Sequence, residues 1–130
     1  MKEKLPSCHP VANHPLQNYL RTHRRRMGLS QEEVANLLGA SSGTKVSRHE
    51  SFARRPAVPT VFAYEIIFNR PARELFAGNY QSIRLAVQER ARHLAERLHS
   101  RPDARTGKTL RKLQLLRAIA ESKQSPIRYD

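Results

Sequence analysis

Apolar side chains recur three and four apart through most of this chain, and glycine, proline or a serine–glutamate pair punctuates the stretches between. Leu16, Tyr19, Leu20, His23 and Met27 share one face of a helix predicted from Pro15 or Leu16 to Met27, and Gly28 ends it by accepting the left-handed conformation. A second helix starts after Ser30, where Glu33 three residues on completes a capping box; Val34, Leu37 and Leu38 form its inner face and Gly39 its stop. Ala35 falls where two helices cross closely, so a larger side chain there would overpack the crossing.

After the turn Gly39-Ala40-Ser41-Ser42, a short helix is predicted from Gly43 to about His49. Val46 and His49, three apart, face inward, which turns Thr44, Lys45, Ser47 and Arg48 outward. Residues 51–59 read as a loop carrying Arg54 and Arg55, Thr60–Phe68 as an apolar helix and Pro71–Phe76 as a short one, so five helices close an all-α core. Beyond Gly78 a longer helix over roughly 79–99 carries the apolar stripe Tyr80, Ile83, Val87, Ala91, Leu94 and Leu98, narrow enough to suit a partner helix. A linker from Ser100 to Lys108 precedes a last helix, capped by Thr109 and running through Ala120 with Leu110, Leu113, Leu116 and Ala120 on one side. The expected organisation is an arm (1–14), a compact domain (15–78), C-terminal helices for dimerisation or packing (79–121) and a loose tail (122–130).

Composition sharpens this picture. The 130 residues suffice for one modest core, and a formal net charge of +13 favours polyanionic partners. The excess is not confined to a tail: residues 1–83 hold twelve basic and six acidic residues, residues 84–130 twelve and five. No apolar stretch suits a signal peptide or a membrane span, which leads to the expectation of a cytoplasmic protein without membrane attachment. The single cysteine, Cys8, has no internal disulfide partner.

Catalytic and metal chemistry find little footing. Cys8, His9 and His14 lie close together but match no regular zinc spacing. Gly107-Lys108-Thr109 resembles the end of a phosphate loop, yet the earlier glycine that loop needs falls on Pro102 and no strand precedes it. No Ser/His/Asp or Cys/His set assembles from local motifs, so the expectation is a binding protein and not an enzyme, with no cofactor, no metal and no small-molecule ligand evident.

Arg24, Gly28-Leu29-Ser30-Gln31, Glu33, Ala35, Leu38-Gly39, Val46-Ser47-Arg48, Glu50 and Pro56 stand together in register, and in this the segment 16–76 resembles the Cro/repressor-type, XRE-like helix-turn-helix regulators. The resemblance implies a five-helix repressor-like DNA-binding domain. It also implies double-stranded DNA as partner, with Ser30 and Gln31 contacting phosphate at the start of the second helix. Gly43, Thr44, Lys45, Ser47 and Arg48 would lie on the helix that meets base edges, Arg54 and Arg55 on a loop against the DNA backbone, and Arg24 and Glu50 would form a structural ion pair. Arg21, Arg25 and Arg26 are weaker candidates for backbone contact.

Three departures accompany the match. Gly39 to Glu50 spans eleven positions where ten is common, Ser51 replaces a usual glycine, and Ala57 sits where a Ser or Thr usually caps the next helix. The stripe Tyr80, Ile83, Val87, Leu94 and Leu98 suits a homodimer that addresses two half-sites about one duplex turn apart. The leading expectation is a sequence-specific transcriptional regulator, most simply a dimeric repressor. The same residues leave open an antitoxin or accessory regulator whose C-terminal helices bind a protein partner, and an RNA-associated basic protein.

Overall fold

The computed structural model describes residues 16–102 and 105–123, which form seven helices and no strand. They are α1 (Leu20–Arg26), α2 (Gln31–Leu38), α3 (Thr44–Glu50), α4 (Val58–Phe68), α5 (Ala72–Leu75), α6 (Ala77–His99) and α7 (Gly107–Glu121). The chain divides into two compact units after Tyr80, within α6. The expected arm 1–14, the helix start at Pro15, the clustered Cys8, His9 and His14, and the tail from 124 lie outside the described residues.

The first unit is organised around Leu20, Val34, Ala35, Val46, Tyr64, Phe68, Leu75 and Phe76, with Leu29, Leu38, Ala40, Val61 and Ile67 packed against them. Tyr64 and Phe68 stack at 6.0 Å between centroids, and Tyr64 meets Phe76 edge-on at 6.4 Å. Large side chains fully withdrawn from water stabilise by about 1.5–3 kcal/mol each, so this cluster is the main source of order in the unit. Leu37, by contrast, is 58% exposed: Val34 and Ala35 define the inner face of α2, and Leu38 is half-buried.

Helix α1 begins at Leu20, four residues later than the periodicity predicts, and Leu16 and Met27 stay exposed. The cause is long-range pairing of the preceding backbone. Tyr19 N–H donates to Leu75 O (2.6 Å), Gly78 N–H to Leu16 O (2.7 Å) and Asn79 N–H to Gln17 O (3.3 Å), which occupies groups a longer helix would need. Buried Asn18 completes the arrangement, accepting from Leu20 N–H and donating to His49 O (2.9 Å). Helix α4 starts at Val58, not Thr60. Its N-cap Ala57 offers no side-chain bond, while Pro59 supplies a preset φ in the first turn. Glu65 of α4 accepts from Ala72 N–H and so caps α5.

In the second unit, Gln88, Ala91 and Leu98 of α6 and Thr109, Leu113 and Ala120 of α7 are buried, and hydrogen bonds join the two helices. Of the predicted apolar stripe Ile83, Val87 and Leu94 are exposed, as is Tyr80 in the first unit, whereas Ala91 and Leu98 are buried, so Leu98 is corrected to a packing residue. Polar side chains take the inner face instead. Gln88 donates to Ile119 O (3.2 Å) and Ser122 O (2.8 Å), Arg84 to Ser122 O (3.2 Å) and Arg92 to Ala120 O (3.3 Å). Spaced one turn apart, they satisfy the orphan carbonyls at the end of α7 and set positive charge against its negative pole. The cap of α7 is Thr106, which accepts from Thr109 N–H, and not Thr109, which is buried. Leu110, expected on the inner side, is exposed.

Candidate nucleic-acid interface

The turn between α2 and α3 is built by local chemistry. Ser30 Oγ accepts from Glu33 N–H (3.0 Å) while Glu33 Oε1 accepts from Ser30 N–H (2.9 Å), the two reciprocal bonds of a capping box. These bonds to Ser30 hold the Glu33 carboxyl below its ordinary pKa. At the other end Gly39 takes φ +75°, open to glycine without a Cβ penalty, and Ala40 N–H returns to Ala35 O (2.9 Å).

Gly43 corrects its expected role. It is buried, its N–H donates to Glu32 Oε1 (3.0 Å), and a Cβ there would come within 2.7 Å of that oxygen and 3.2 Å of the Gln31 backbone. It is a close-packing position that carries the chain into α3, not a surface position that could meet a ligand. The turn ends at Gly43, and regular helix begins at Thr44.

The inner side of α3 is fixed by Val46 and His49, both 1% exposed. His49 Nδ1 lies 2.8 Å from the Tyr64 hydroxyl, and the two rings meet edge-on at 5.7 Å. Burial, then the nearby Lys45 and Arg54 charges, lower the His49 pKa; burial chiefly raises that of Tyr64. A neutral imidazole therefore anchors α3 to α4. Periodicity had marked His49 as inward, but its partners Tyr64 and Asn18 are far apart in sequence and carry no local signal.

The C-terminal end of α3 is held by Glu50. Arg24 engages its carboxylate through Nε and Nη2, the latter at 3.1 Å from Oε1, and Arg24 Nη1 donates to Leu29 O (3.0 Å). The two side chains are only 11% and 5% exposed. Hydrogen bonding to Glu50 raises the Arg24 pKa. Gln31 Nε2 also donates to Glu50 Oε1 (3.1 Å), so one amide hydrogen of Gln31 is committed and the other remains for an external acceptor.

The outer side of α3 carries Thr44, Ser47 and Arg48, all exposed, and half-exposed Lys45. Exposed Ser30 and half-buried Gln31 stand at the start of α2. Arg54 and Arg55 are exposed on the loop after α3, tied back by Arg54 N–H to Arg48 O (3.2 Å). Phe52 adopts φ +58°, a conformation that strains a bulky residue, and its ring lies 5.6 Å beneath the Arg55 guanidinium. Arg25 and Arg26 are exposed on α1, as is Arg21. The unit thus offers a helix with hydroxyl, ammonium and guanidinium donors outward and its reverse side locked by an ion pair, a buried imidazole and a valine. Such a surface suits phosphate and base-edge acceptors.

Among the described residues no group of three His, Cys, Asp or Glu side chains converges as a metal site, and no helix is long and apolar enough to cross a membrane. Comparison with family models, curated proteins and solved structures returns no match.

Proposed function

We propose that the protein is a sequence-specific DNA-binding transcriptional regulator whose first unit is a repressor-like helix-turn-helix domain. The observation that carries this reading is the two-sided character of α3: Val46, His49 and Glu50 are immobilised on one side while Thr44, Lys45, Ser47 and Arg48 stand on the other. Inserted into a major groove, Lys45 and Arg48 donate to guanine O6 and N7, each good pair discriminating by about 1–3 kcal/mol. Ser30, Gln31, Arg54 and Arg55 contact phosphates and set the docking register. Binding over a promoter excludes polymerase, which makes repression the simplest outcome.

A homodimer through the exposed residues Ile83, Val87 and Leu94 of α6 would bring two copies, and so two reading helices, to a two-fold symmetric site. The same exposed residues favour a second reading, an accessory regulator that binds another protein there. Selection of bound sequences from random duplex DNA tests the first reading. A two-fold symmetric consensus is expected, with its selectivity lost in Lys45→Ala/Arg48→Ala. Recovery of unrelated sequences, or selectivity unaltered by those substitutions, refutes it; a monomer that pairs with the product of an adjacent gene favours the second reading.

A further inference from the structure

Helix α7 has a face that neither its packing nor the proposed reading by α3 uses. Arg111 and Lys112 follow Lys108 on it by one turn, all three are exposed, and Arg105 is exposed just ahead of the helix. The inner side of α7 is a different set, Thr109, Leu113 and Ala120. None of the four basic residues forms an ion pair among the described residues, in contrast to α6, where Glu89 pairs with both Arg92 (2.9 Å) and His93 (3.1 Å). From residue 104 to residue 120 the sequence contains five basic residues and no acidic one.

The placement also runs against helix energetics. Acidic residues are favoured in the first turn and basic ones in the last, yet the first turn of α7 has no acid and its last turn no base. Lys108 stands in that first turn with Arg111 and Lys112 in the next, so the three like charges repel one another with no acid between them, and a local cost of this kind without a structural return marks a surface kept for a ligand. The charge calls for a polyanion. An interfacial membrane helix needs a free apolar face, usually with aromatic residues, opposite its basic one; on α7 the side away from Lys108, Arg111 and Lys112 holds the buried Leu113 and Ala120, and the helix contains no Phe, Tyr or Trp.

We propose that Lys108, Arg111 and Lys112, with Arg105, form a second nucleic-acid contact that grips the phosphate backbone of duplex DNA without regard to sequence. Joined in one chain to a DNA reader, such a surface gains affinity from its high effective concentration beside the duplex and needs no base contact of its own. The choice of DNA as the polyanion rests on the reading of α3; the basic surface itself does not.

The test is a salt titration of the full chain on a random-sequence duplex, comparing the parent with Lys108→Gln/Arg111→Gln/Lys112→Gln and, separately, with Lys45→Ala/Arg48→Ala. The triple variant is expected to lower the slope of log K against log salt by about 2–3, from about 0.9 per lost phosphate contact, and to weaken binding at low salt by more than tenfold. A charge-conserving variant, Lys108→Arg/Arg111→Lys/Lys112→Arg, should restore the parent slope, which separates lost charge from lost folding. The α3 variant should retain the contribution of α7, so a failure of base reading leaves this result standing. An unchanged slope in a triple variant of parental helicity overturns the proposal. So does a loss seen only on anionic lipid vesicles, or tighter binding of a structured RNA than of duplex DNA through the same three residues.

Discussion

Removing the Glu50 carboxylate tests the brace on which the orientation of α3 depends. Glu50→Ala deletes the acceptor for Arg24 Nε, Arg24 Nη2 and Gln31 Nε2 and leaves an 11% exposed guanidinium with only Leu29 O (3.0 Å). Breaking a buried pair from one side costs about 3–5 kcal/mol because the remaining charge is stranded. Partial access of water to Arg24 argues for the lower end, about 3 kcal/mol. In a unit of this size, where 1 kcal/mol moves the midpoint by about 4–8 °C, the expected fall in Tm is roughly 12–24 °C.

The attribution is checked by a double-mutant cycle read by chemical denaturation. Arg24→Met should cost somewhat less than Glu50→Ala, since a carboxylate can still accept from Gln31. Arg24→Met/Glu50→Leu, which removes both charges and refills the space, should lose less stability than the sum of Arg24→Met and Glu50→Leu measured singly, with a coupling energy of about 2–3 kcal/mol. A Glu50→Ala loss below about 1 kcal/mol, or strictly additive single losses, would show that the pair is a solvated surface contact and would remove the argument that α3 is rigidly held.

Three further outcomes follow from other contacts. Stability should be full above pH 6.5 and decline below it, because burial depresses the pKa values of His23 and His49 in the fold and the unfolded chain takes up protons first; a pH series of urea melts on His49→Phe should show a weaker dependence, and an equal one would exclude His49 as a source. Gly43→Ala should displace the Glu32 carboxylate from Gly43 N–H and press on Gln31, at a cost of about 1 kcal/mol, with partial recovery in Gly43→Ala/Glu32→Ala, both measurable by thermal melts. Gln88→Ala strips the bonds to Ile119 O and Ser122 O and should cost about 1–2 kcal/mol, visible as faster amide exchange in the last turn of α7, while Val87→Ala beside it should leave exchange unchanged.

How far the fold could be read from sequence depended on the range of the interaction concerned. Ser30, Glu33 and Gly39 announced α2 because a cap and a stop are decided within four residues. The first turn of α1 was misplaced because Leu16 and Leu20 fit one stripe, while the bonds that straighten residues 16–19 come from Leu75, Gly78 and Asn79. On α6 the apolar stripe is divided: Ala91 and Leu98 are buried, whereas Arg84, Gln88 and Arg92 bond the carbonyls at the end of α7 and Ile83, Val87 and Leu94 stay exposed, a split that apolar periodicity cannot show. Arg24 and Glu50 were placed together by family resemblance alone; no spacing rule joins positions 26 residues apart. Gly43 was assigned to the reading face by its position beside Thr44, and only the approach of Glu32 reveals that it has no room for another role.

The two sides of α3 should separate stability from binding, with one instructive exception. Thr44 and Arg48 are exposed and support no core contact, so each alanine replacement should change stability by no more than about 0.5 kcal/mol. Lys45 is different because its charge helps to depress the pKa of His49 beneath it. Lys45→Ala removes a like charge, which raises the folded pKa of His49 towards 6.5 and narrows the interval over which acid destabilises the protein. The variant should therefore lose DNA affinity at neutral pH and yet resist acid better than the parent. Paired measurements of binding and of urea midpoints at neutral pH and near pH 5 would detect this opposition. A Lys45→Ala protein with the parental acid sensitivity would mean that burial and Arg54 set His49 without Lys45, and that this outer charge of α3 carries no cost for the fold.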